Sequence, residues 1–181
     1  GKTEVARIIA GILHENGLLR TDRVVETDRS GLVAGYVGQT AMKTAAVIEE
    51  AMGGVLFIDE AYSLVQGDTG GDYGHEEVST LIKAMEDYRG EFCVILAGYK
   101  NQMNEMLASN PGFQSRIQFT LDFPNYNRDE LGQIAALMLK AREYTASDAA
   151  KDRMLDITDH NRKEPNFANA REMRNIIEQV I

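Results

Sequence analysis

Two adjacent carboxylates follow directly after a short apolar run in this 181-residue sequence. The apolar run is Val55–Ile58, and the acids are Asp59 and Glu60. An apolar run without polar alternation predicts a strand that is covered on both faces. Carboxylates at the end of such a strand are costly unless chemistry there uses them. Because neighbouring side chains leave a strand in different directions, one acid could orient a metal ion while the other polarises a water molecule.

The first three residues supply the groups that would use those acids. Gly1, Lys2 and Thr3 match the last three positions of the phosphate-loop pattern G-x-x-x-x-G-K-[ST]. A lysine at a helix start, where backbone N–H groups attract anions, can reach nucleotide phosphates, and the threonine hydroxyl can ligate magnesium. With Asp59 holding magnesium through water and Glu60 activating the attacking water, the two motifs predict an ATPase that uses ATP and Mg²⁺. The alternative reading makes Asp59 a turn cap and Glu60 a solvated acid.

The beginning of the chain lacks the rest of that motif. A phosphate loop needs a strand and further glycines ahead of the lysine, and the sequence has only Gly1 before Lys2. We therefore expect a fragment that starts inside the motif. Because part of the phosphate cradle is missing, the fragment is expected to bind ATP poorly.

Composition restricts the class of protein. Lysine and arginine total 19 against 28 acids, which gives a formal net charge of −9. Because phosphate contacts need basic residues, this balance argues against a nucleic-acid-binding surface. No apolar stretch is long enough to span a bilayer, and the single cysteine, Cys93, cannot form an internal disulfide. We therefore expect a cytoplasmic protein without a membrane or nucleic-acid partner.

Apolar periodicity alternates between strand and helix patterns over much of the chain. Strand patterns occur at 24–25, 55–59, 92–97 and 119–123. Helical patterns begin at Lys2 or Thr3, at Thr40 and near Val78, and Asn110–Gly112 has the composition of a turn. Strands that alternate with helices predict a parallel α/β sheet.

The pattern changes after Pro124, where no further strand pattern occurs. Helix caps are predicted at Asn127 with Glu130, at Ser147, and at Asn169 with Glu172. We therefore predict two domains: an α/β nucleotide-binding domain over residues 1–124 and a small all-helical subdomain over residues 125–181.

Several motifs make the chain resemble an AAA+ ATPase. They are Gly1–Thr3, Asp59–Glu60, Ser115–Arg116 and Asn169–Arg171. Longer strings resemble the branch that holds stage V sporulation protein K and the red-type rubisco activase; they lie at 34–40, 57–62, 96–99 and 110–113. The resemblance covers nearly all of the chain. It implies a P-loop NTPase sheet domain followed by the AAA+ helical lid, with four parallel strands and a gap where the first strand is absent.

The resemblance also implies roles for residues outside the two acidic and phosphate-binding motifs. Arg116 is expected to be an arginine finger that reaches the nucleotide of a neighbouring subunit. Arg171 is similar to the sensor-2 arginine of the lid, and Arg174, one turn later, is the alternative for that role. Tyr99 or Asn101 would occupy the sensor-1 position, and Tyr99 is slightly favoured.

A further segment resembles the pore loop of ring-shaped protein remodellers. It consists of Tyr36, Val37 and Gly38, in which the aromatic side chain would grip a client polypeptide. The glycine on each side would let the loop swing. The alternative is an aromatic residue buried in an ordinary loop.

The interpretation that joins these features is an ATP-hydrolysing AAA+ protein remodeller, expected to form a hexameric ring and to resemble sporulation protein K. A red-type rubisco activase is the alternative within the family, with a type VII secretion ATPase further behind. A nucleotide-gated interaction module without turnover is the alternative from another class, because Tyr99 replaces the usual sensor residue. A clamp-loader-like relative that handles nucleic acid is disfavoured by the acidic charge.

Overall fold

The computed structural model describes residues 1–34, 38–65, 76–162 and 167–180. The chain divides into two units, Gly1–Thr120 and Leu121–Ile181. The helices of the first unit are α1 (Lys2–Glu15), α2 (Arg29–Leu32), α3 (Thr40–Ala51), α4 (Glu76–Asp87), α5 (Lys100–Ser109) and α6 (Pro111–Gln114), with a 3₁₀ turn at Ala61–Leu64. The second unit has α7 (Arg128–Ala141), α8 (Asp148–Asn161) and α9 (Ala170–Val180). None of the helices in these ranges has the length and apolar character that a membrane crossing needs.

Within the described residues, three parallel strands form one sheet in the first unit. They are β1 (Val24–Thr27), β2 (Val55–Ile58) and β3 (Cys93–Leu96), in the order β1-β2-β3. All four residues of β2 are buried, because this strand has a neighbour on each side and helices over both faces. The predicted parallel α/β sheet is therefore confirmed, and the apolar run forms its central strand.

Alternating side chains of β2 enter two different cores, as the pleat of a strand requires. Phe57 packs in a cluster with Ala6 of α1, and Leu56 and Ile58 lie in the larger cluster. Ala6 is almost completely buried, and its small side chain permits a close approach of α1 to the sheet. The packing of α1 on β2 brings the start of that helix to the sheet.

The predicted strand at 119–123 was wrong. Residues 117–127 have no helix or strand assignment, and among the described residues the sheet has three contiguous strands rather than four with a gap. Phe119 is 85% exposed, so its apolar side chain has little cover. A strand needs a neighbour that offers backbone N–H and C=O groups, and β-forming side chains alone do not supply one. The predicted turn at Asn110–Gly112 is the capped start of α6.

The helices of the second unit begin largely where their caps were predicted. Asn127 and Glu130 form a reciprocal capping box on α7, and the Ser147 side chain caps α8. Asn169 directly precedes α9, at the predicted cap position, but its side chain bonds to residues outside the helix. Its side-chain oxygen accepts a hydrogen bond from the backbone N–H of Tyr126 at 3.0 Å, and its amide donates to the Asn125 side chain at 2.8 Å. Asn169 therefore anchors the segment before α7.

Candidate functional site

The carboxyl ends of the three strands meet at one edge of the sheet. Thr27, Ile58 and Leu96 are register partners at the last positions of β1, β2 and β3. The backbone N–H of Asp59 donates to the Thr27 carbonyl, and that of Ala97 donates to the Ile58 carbonyl, each at 2.9 Å. Because all three strands end at the same level, the residues that follow them share one edge. In open α/β sheets this edge is where ligands bind.

A cavity of about 380 Å³ lies at this edge. Thr3 from the first turn of α1 and Asp59 from the end of β2 both line it. These are the two residues to which the sequence analysis assigned a magnesium ion, although they are far apart along the chain. A hydroxyl and a carboxylate are hard oxygen donors of the kind that Mg²⁺ prefers. The remaining lining residues are Glu26, Thr27, Asp28, Ser30, Gly31 and Phe57.

Glu60 occupies an unusual backbone conformation at the exit from β2. Its φ and ψ angles are 48° and 41°, in the left-handed region that residues with a Cβ atom rarely adopt. The Asp59 carboxylate accepts a hydrogen bond from the Glu60 backbone N–H at 3.0 Å. Glu60 is exposed, whereas Asp59 is partly buried. The two neighbouring acids therefore have different environments, and backbone strain of this kind often marks a functional position.

The side chain of Lys2 lies over an aromatic ring. Its Nζ atom is 5.3 Å from the ring centroid of Tyr99, which precedes α5. The Tyr99 ring in turn lies next to the ring of Tyr62, with 6.4 Å between centroids. Burial raises the pKa of Tyr62, and the negative charge of Glu60 raises it further. The two aromatic rings thus link the lysine to the turn that follows Glu60.

The sequence analysis gave no role of its own to Tyr62. It noted Tyr62 only as part of a longer string similar to a family. In the structure, the 3₁₀ turn that contains Tyr62 lies beside the end of β3, because the backbone N–H of Ala61 donates to the Ala97 carbonyl at 2.9 Å. No spacing signal predicts this contact, because Tyr62 and Tyr99 are distant in sequence.

Asp28 is a cavity residue that the sequence analysis missed. Its carboxylate accepts hydrogen bonds from the Ser30 hydroxyl at 2.6 Å and from the Gly31 backbone N–H at 3.1 Å. These two bonds hold the pKa of Asp28 below its ordinary value. An Asp just after a strand, with a Ser two residues later, is a helix-cap signal that could have identified this residue.

Replacing Asp28 with Ala is expected to lower the free energy of unfolding by about 1 kcal/mol, because α2 loses its side-chain cap. Asp28→Asn keeps an acceptor oxygen and should cost less at neutral pH. The folded-state pKa is lowered, so the ionised carboxylate adds stability above its unfolded pKa of about 3.9 and loses it as the pH falls through the folded value. Urea unfolding at neutral pH and below about pH 4 measures both effects. Equal stability of Asp28→Ala and wild type would contradict the capping role.

Arg116 is paired within its own unit. Its Nη2 atom lies 3.1 Å from the Glu86 carboxylate, and its Nη1 donates to the Gly112 carbonyl at 3.2 Å. The side chain is 25% exposed. Arg89 also pairs with Glu86 at 3.1 Å, so two guanidinium groups share one carboxylate. The ion pair with Glu86 holds the Arg116 side chain near the end of α6 rather than leaving it freely extended.

Tyr36 and Val37 of the predicted pore loop lie outside the described residues. Gly38 has a φ of 76°, which favours glycine, and stands shortly before α3. A hydrogen bond joins the described residues on the two sides of this loop: the backbone N–H of Ala34 donates to the Thr40 hydroxyl at 3.1 Å.

In the second unit, Arg171 lies in the first turn of α9 and is exposed, as is Arg174. The Glu178 carboxylate, which could have paired with Arg174, accepts from Arg142 at 2.8 Å. In the first unit, Asn101 is an exposed residue in the first turn of α5. Gly1 is the N-cap residue of α1, and its carbonyl accepts from the Val5 backbone N–H at 3.2 Å.

Comparison with known proteins adds two family matches. The family described as "ATPase family associated with various cellular activities (AAA)" matches residues 1–125. The family described as "AAA lid domain" matches residues 127–181. Together they account for nearly the whole chain.

Two curated relatives and a solved structure illustrate the similarity. Protein CbbX of Cereibacter sphaeroides is 44% identical over 180 residues, covering 99% of this chain and 58% of that protein. Stage V sporulation protein K of Bacillus subtilis is 44% identical over 184 residues, covering 100% of this chain and 57% of that protein. A mutant RuvB of Thermotoga maritima shares the fold, with a TM-score of 0.62, 20% identity, and coverage of 98% of this chain and 58% of the RuvB chain. The chain thus spans less than two thirds of the length of the relatives that it matches.

Proposed function

Because the chain belongs to the AAA family of ATPases and carries the AAA lid domain, we propose that it hydrolyses Mg-ATP to remodel a client protein. One observation carries the proposal: Thr3 and Asp59 line the same cavity at the carboxyl edge of the sheet. The family match and the position of Lys2 beside Thr3 support it. We place the nucleotide-binding domain at residues 1–124 and the lid at residues 125–181.

The chemistry follows from the residue types at this edge. Lys2 binds the β- and γ-phosphates, while Thr3 and Asp59 hold magnesium. Bound magnesium supplies neutralising charge for the phosphate oxygens. Glu60 polarises the attacking water and accepts its proton, a task that suits an exposed carboxylate next to the metal-holding acid. Tyr99 stands at the sensor-1 position, and its ring already contacts Lys2.

We propose a ring because Arg116, as an arginine finger, is useful only to a neighbouring subunit. Arg116 acts on the nucleotide of a neighbouring subunit, so the working unit is a homo-oligomer, a hexamer. Its pairing with Glu86 supports this role, since a held guanidinium keeps a defined position at the end of α6. We propose Arg171 of the lid as the sensor-2 arginine, with Arg174 as the alternative. Movement of the lid would then follow the nucleotide state.

The client is gripped by the loop of Tyr36, Val37 and Gly38. The described ends of this loop are anchored, because Lys43 Nζ donates to the backbone carbonyls of Ser30 at 2.7 Å and Val33 at 2.9 Å. Anchored ends allow a force on the loop to be transmitted to α3 and the sheet. The net charge of −9 favours a protein client over nucleic acid, and we propose a cytoplasmic location.

Two relatives suggest which client class to test. Stage V sporulation protein K and CbbX match the chain at the same identity. We therefore propose a sporulation-type remodeller as the main function and a red-type rubisco activase as the alternative. A nucleotide-gated interaction module without turnover is favoured only by Tyr99 at the sensor position.

The client-gripping role predicts that Tyr36→Ala in the full-length protein lowers the stimulation of ATPase activity by client, expressed as the ratio of stimulated to basal rate. Tyr36→Phe is the matched control and should keep the ratio, because it retains the aromatic contact surface. Candidate clients are an unfolded model protein and inhibited rubisco, and stimulation by one of them distinguishes the two client classes. ATP binding without any turnover would favour the interaction module instead.

A further inference from the structure

We infer that Tyr99 is a positioning residue for the phosphate-binding lysine: its ring face holds the Lys2 ammonium, and the ring of Tyr62 holds Tyr99 in place. The inference rests on the proposed nucleotide site. It differs from a sensor role, in which the Tyr99 hydroxyl would contact the nucleotide directly.

The contact between Lys2 and Tyr99 has the geometry of a cation–π interaction. The Nζ atom is 5.3 Å from the ring centroid, within the range of about 6 Å over which the ring face attracts a cation. Lysine has a long, flexible side chain, and an exposed lysine samples many rotamers. A ring at this position restricts Lys2 to the side of α1 that faces the end of β3.

The ring of Tyr99 is itself 57% exposed, so it needs support from a neighbour. Tyr62 supplies that support: the two ring centroids are 6.4 Å apart, within the range of about 4.5–7 Å over which aromatic pairs interact, and the rings are tilted by 40°. Tyr62 is fixed by close packing on Gly98: a Cβ atom there would lie 2.8 Å from Tyr62 Cδ1 and 2.6 Å from Met103 Sδ. Only glycine fits at position 98 without displacing these side chains.

The aromatic pair also connects the two ends of the proposed reaction site. Tyr62 follows Glu60 by two residues and lies in the 3₁₀ turn that Glu60 begins. The aromatic pair therefore links Lys2 to the turn that follows Glu60.

The test separates the ring from the hydroxyl. Affinities for ATP and ADP are measured by calorimetry on the full-length protein in a Glu60→Gln background, which prevents turnover. Tyr99→Leu is expected to weaken both affinities by about two- to fivefold, because the lysine reaches the β-phosphate of either nucleotide. Tyr99→Phe keeps the ring and should retain most of the affinity that Tyr99→Leu loses. Tyr88→Leu, at another exposed tyrosine, is the matched control and should also bind like the parent.

A double-mutant cycle excludes a merely structural effect. In a Lys2→Met background, Tyr99→Leu should weaken affinity no further, because the cation that the ring holds is gone. An equal loss in that background, a loss in Tyr99→Phe as large as in Tyr99→Leu, or no loss in Tyr99→Leu would each overturn the inference. A different result would contradict the proposed nucleotide site itself, namely an unchanged ATP affinity in the single variant Lys2→Met.

Discussion

Replacing Glu60 with Gln is expected to lower the ATP turnover rate of the full-length protein by about 10²–10⁴-fold while nucleotide binding persists. The amide keeps the size of the side chain but cannot accept a proton from the attacking water. Because the side chain still has a Cβ, the left-handed backbone at this residue is equally strained in both proteins. The loss therefore reports on chemistry rather than folding. Turnover is measured by phosphate release and binding by calorimetry.

The matched control for this variant is Glu49→Gln, at an exposed acid of α3 away from the cavity lining. It should hydrolyse ATP at the wild-type rate. Turnover that survives in Glu60→Gln would show that another group activates the water. Loss of both binding and turnover would instead assign Glu60 to holding the nucleotide. In either case the division of roles between Asp59 and Glu60 would be wrong.

Replacing Arg116 with Ala is expected to reduce turnover in the assembled ring, by an amount comparable with the about 10³–10⁵-fold that a trans-acting arginine contributes in GTPases. The physical reason is that charge on the transferring phosphoryl group loses its stabilising cation from the neighbouring subunit. Steady-state phosphate release at saturating ATP measures the effect. Light scattering confirms that the ring still assembles.

Arg89→Ala provides a close control, because Arg89 pairs with the same Glu86 carboxylate as Arg116. The exposed pair of Arg89 contributes only about 0–1 kcal/mol, so Arg89→Ala should fold like the wild type. Because Arg116 is only 25% exposed, thermal unfolding is used to verify that Arg116→Ala is folded before the rates are compared. Only Arg116→Ala should lose turnover. Equal loss in the two variants would reduce Arg116 to a structural role.

Mixing two inactive proteins tests whether Arg116 acts between subunits. An Arg116→Ala subunit still contributes Glu60, and a Glu60→Gln subunit still contributes Arg116, so some interfaces in a mixed ring contain both groups. Turnover should therefore return when the two variants are assembled together. A mixture that stays inactive, in rings shown to contain both variants, would place the arginine and the acid in the same subunit's site.

Local patterns in the chain were sufficient for much of the architecture. The Val55–Ile58 run is a buried central strand because continuous burial requires apolar side chains on both faces of the sheet. The capping box of Asn127 and Glu130 formed as predicted because all of its partners lie within one helical turn. Features whose partners are near in sequence can be identified without knowing the fold.

The proposed site is a mixed case. Thr3 and Asp59 could be named from the phosphate-loop pattern and the acids at the strand end, and the structure brings them to one cavity. Asp28 was missed although its cap signal is local. Tyr62 could not be assigned, because its contact with Tyr99 exists only after the 3₁₀ turn packs beside the end of β3.

Tertiary structure alone decided which strands pair and which residues hydrogen-bond to the Asn169 side chain. The 119–123 segment has the side chains of a strand but forms none among the described residues, because pairing depends on an available neighbour and not on propensity. Asn169 has the residue type and the position of a cap, yet its side-chain oxygen accepts from Tyr126 and its amide donates to Asn125, both more than forty positions earlier. Hydrogen-bond groups are satisfied by whichever partner the packing brings near, and distance along the chain does not determine that choice.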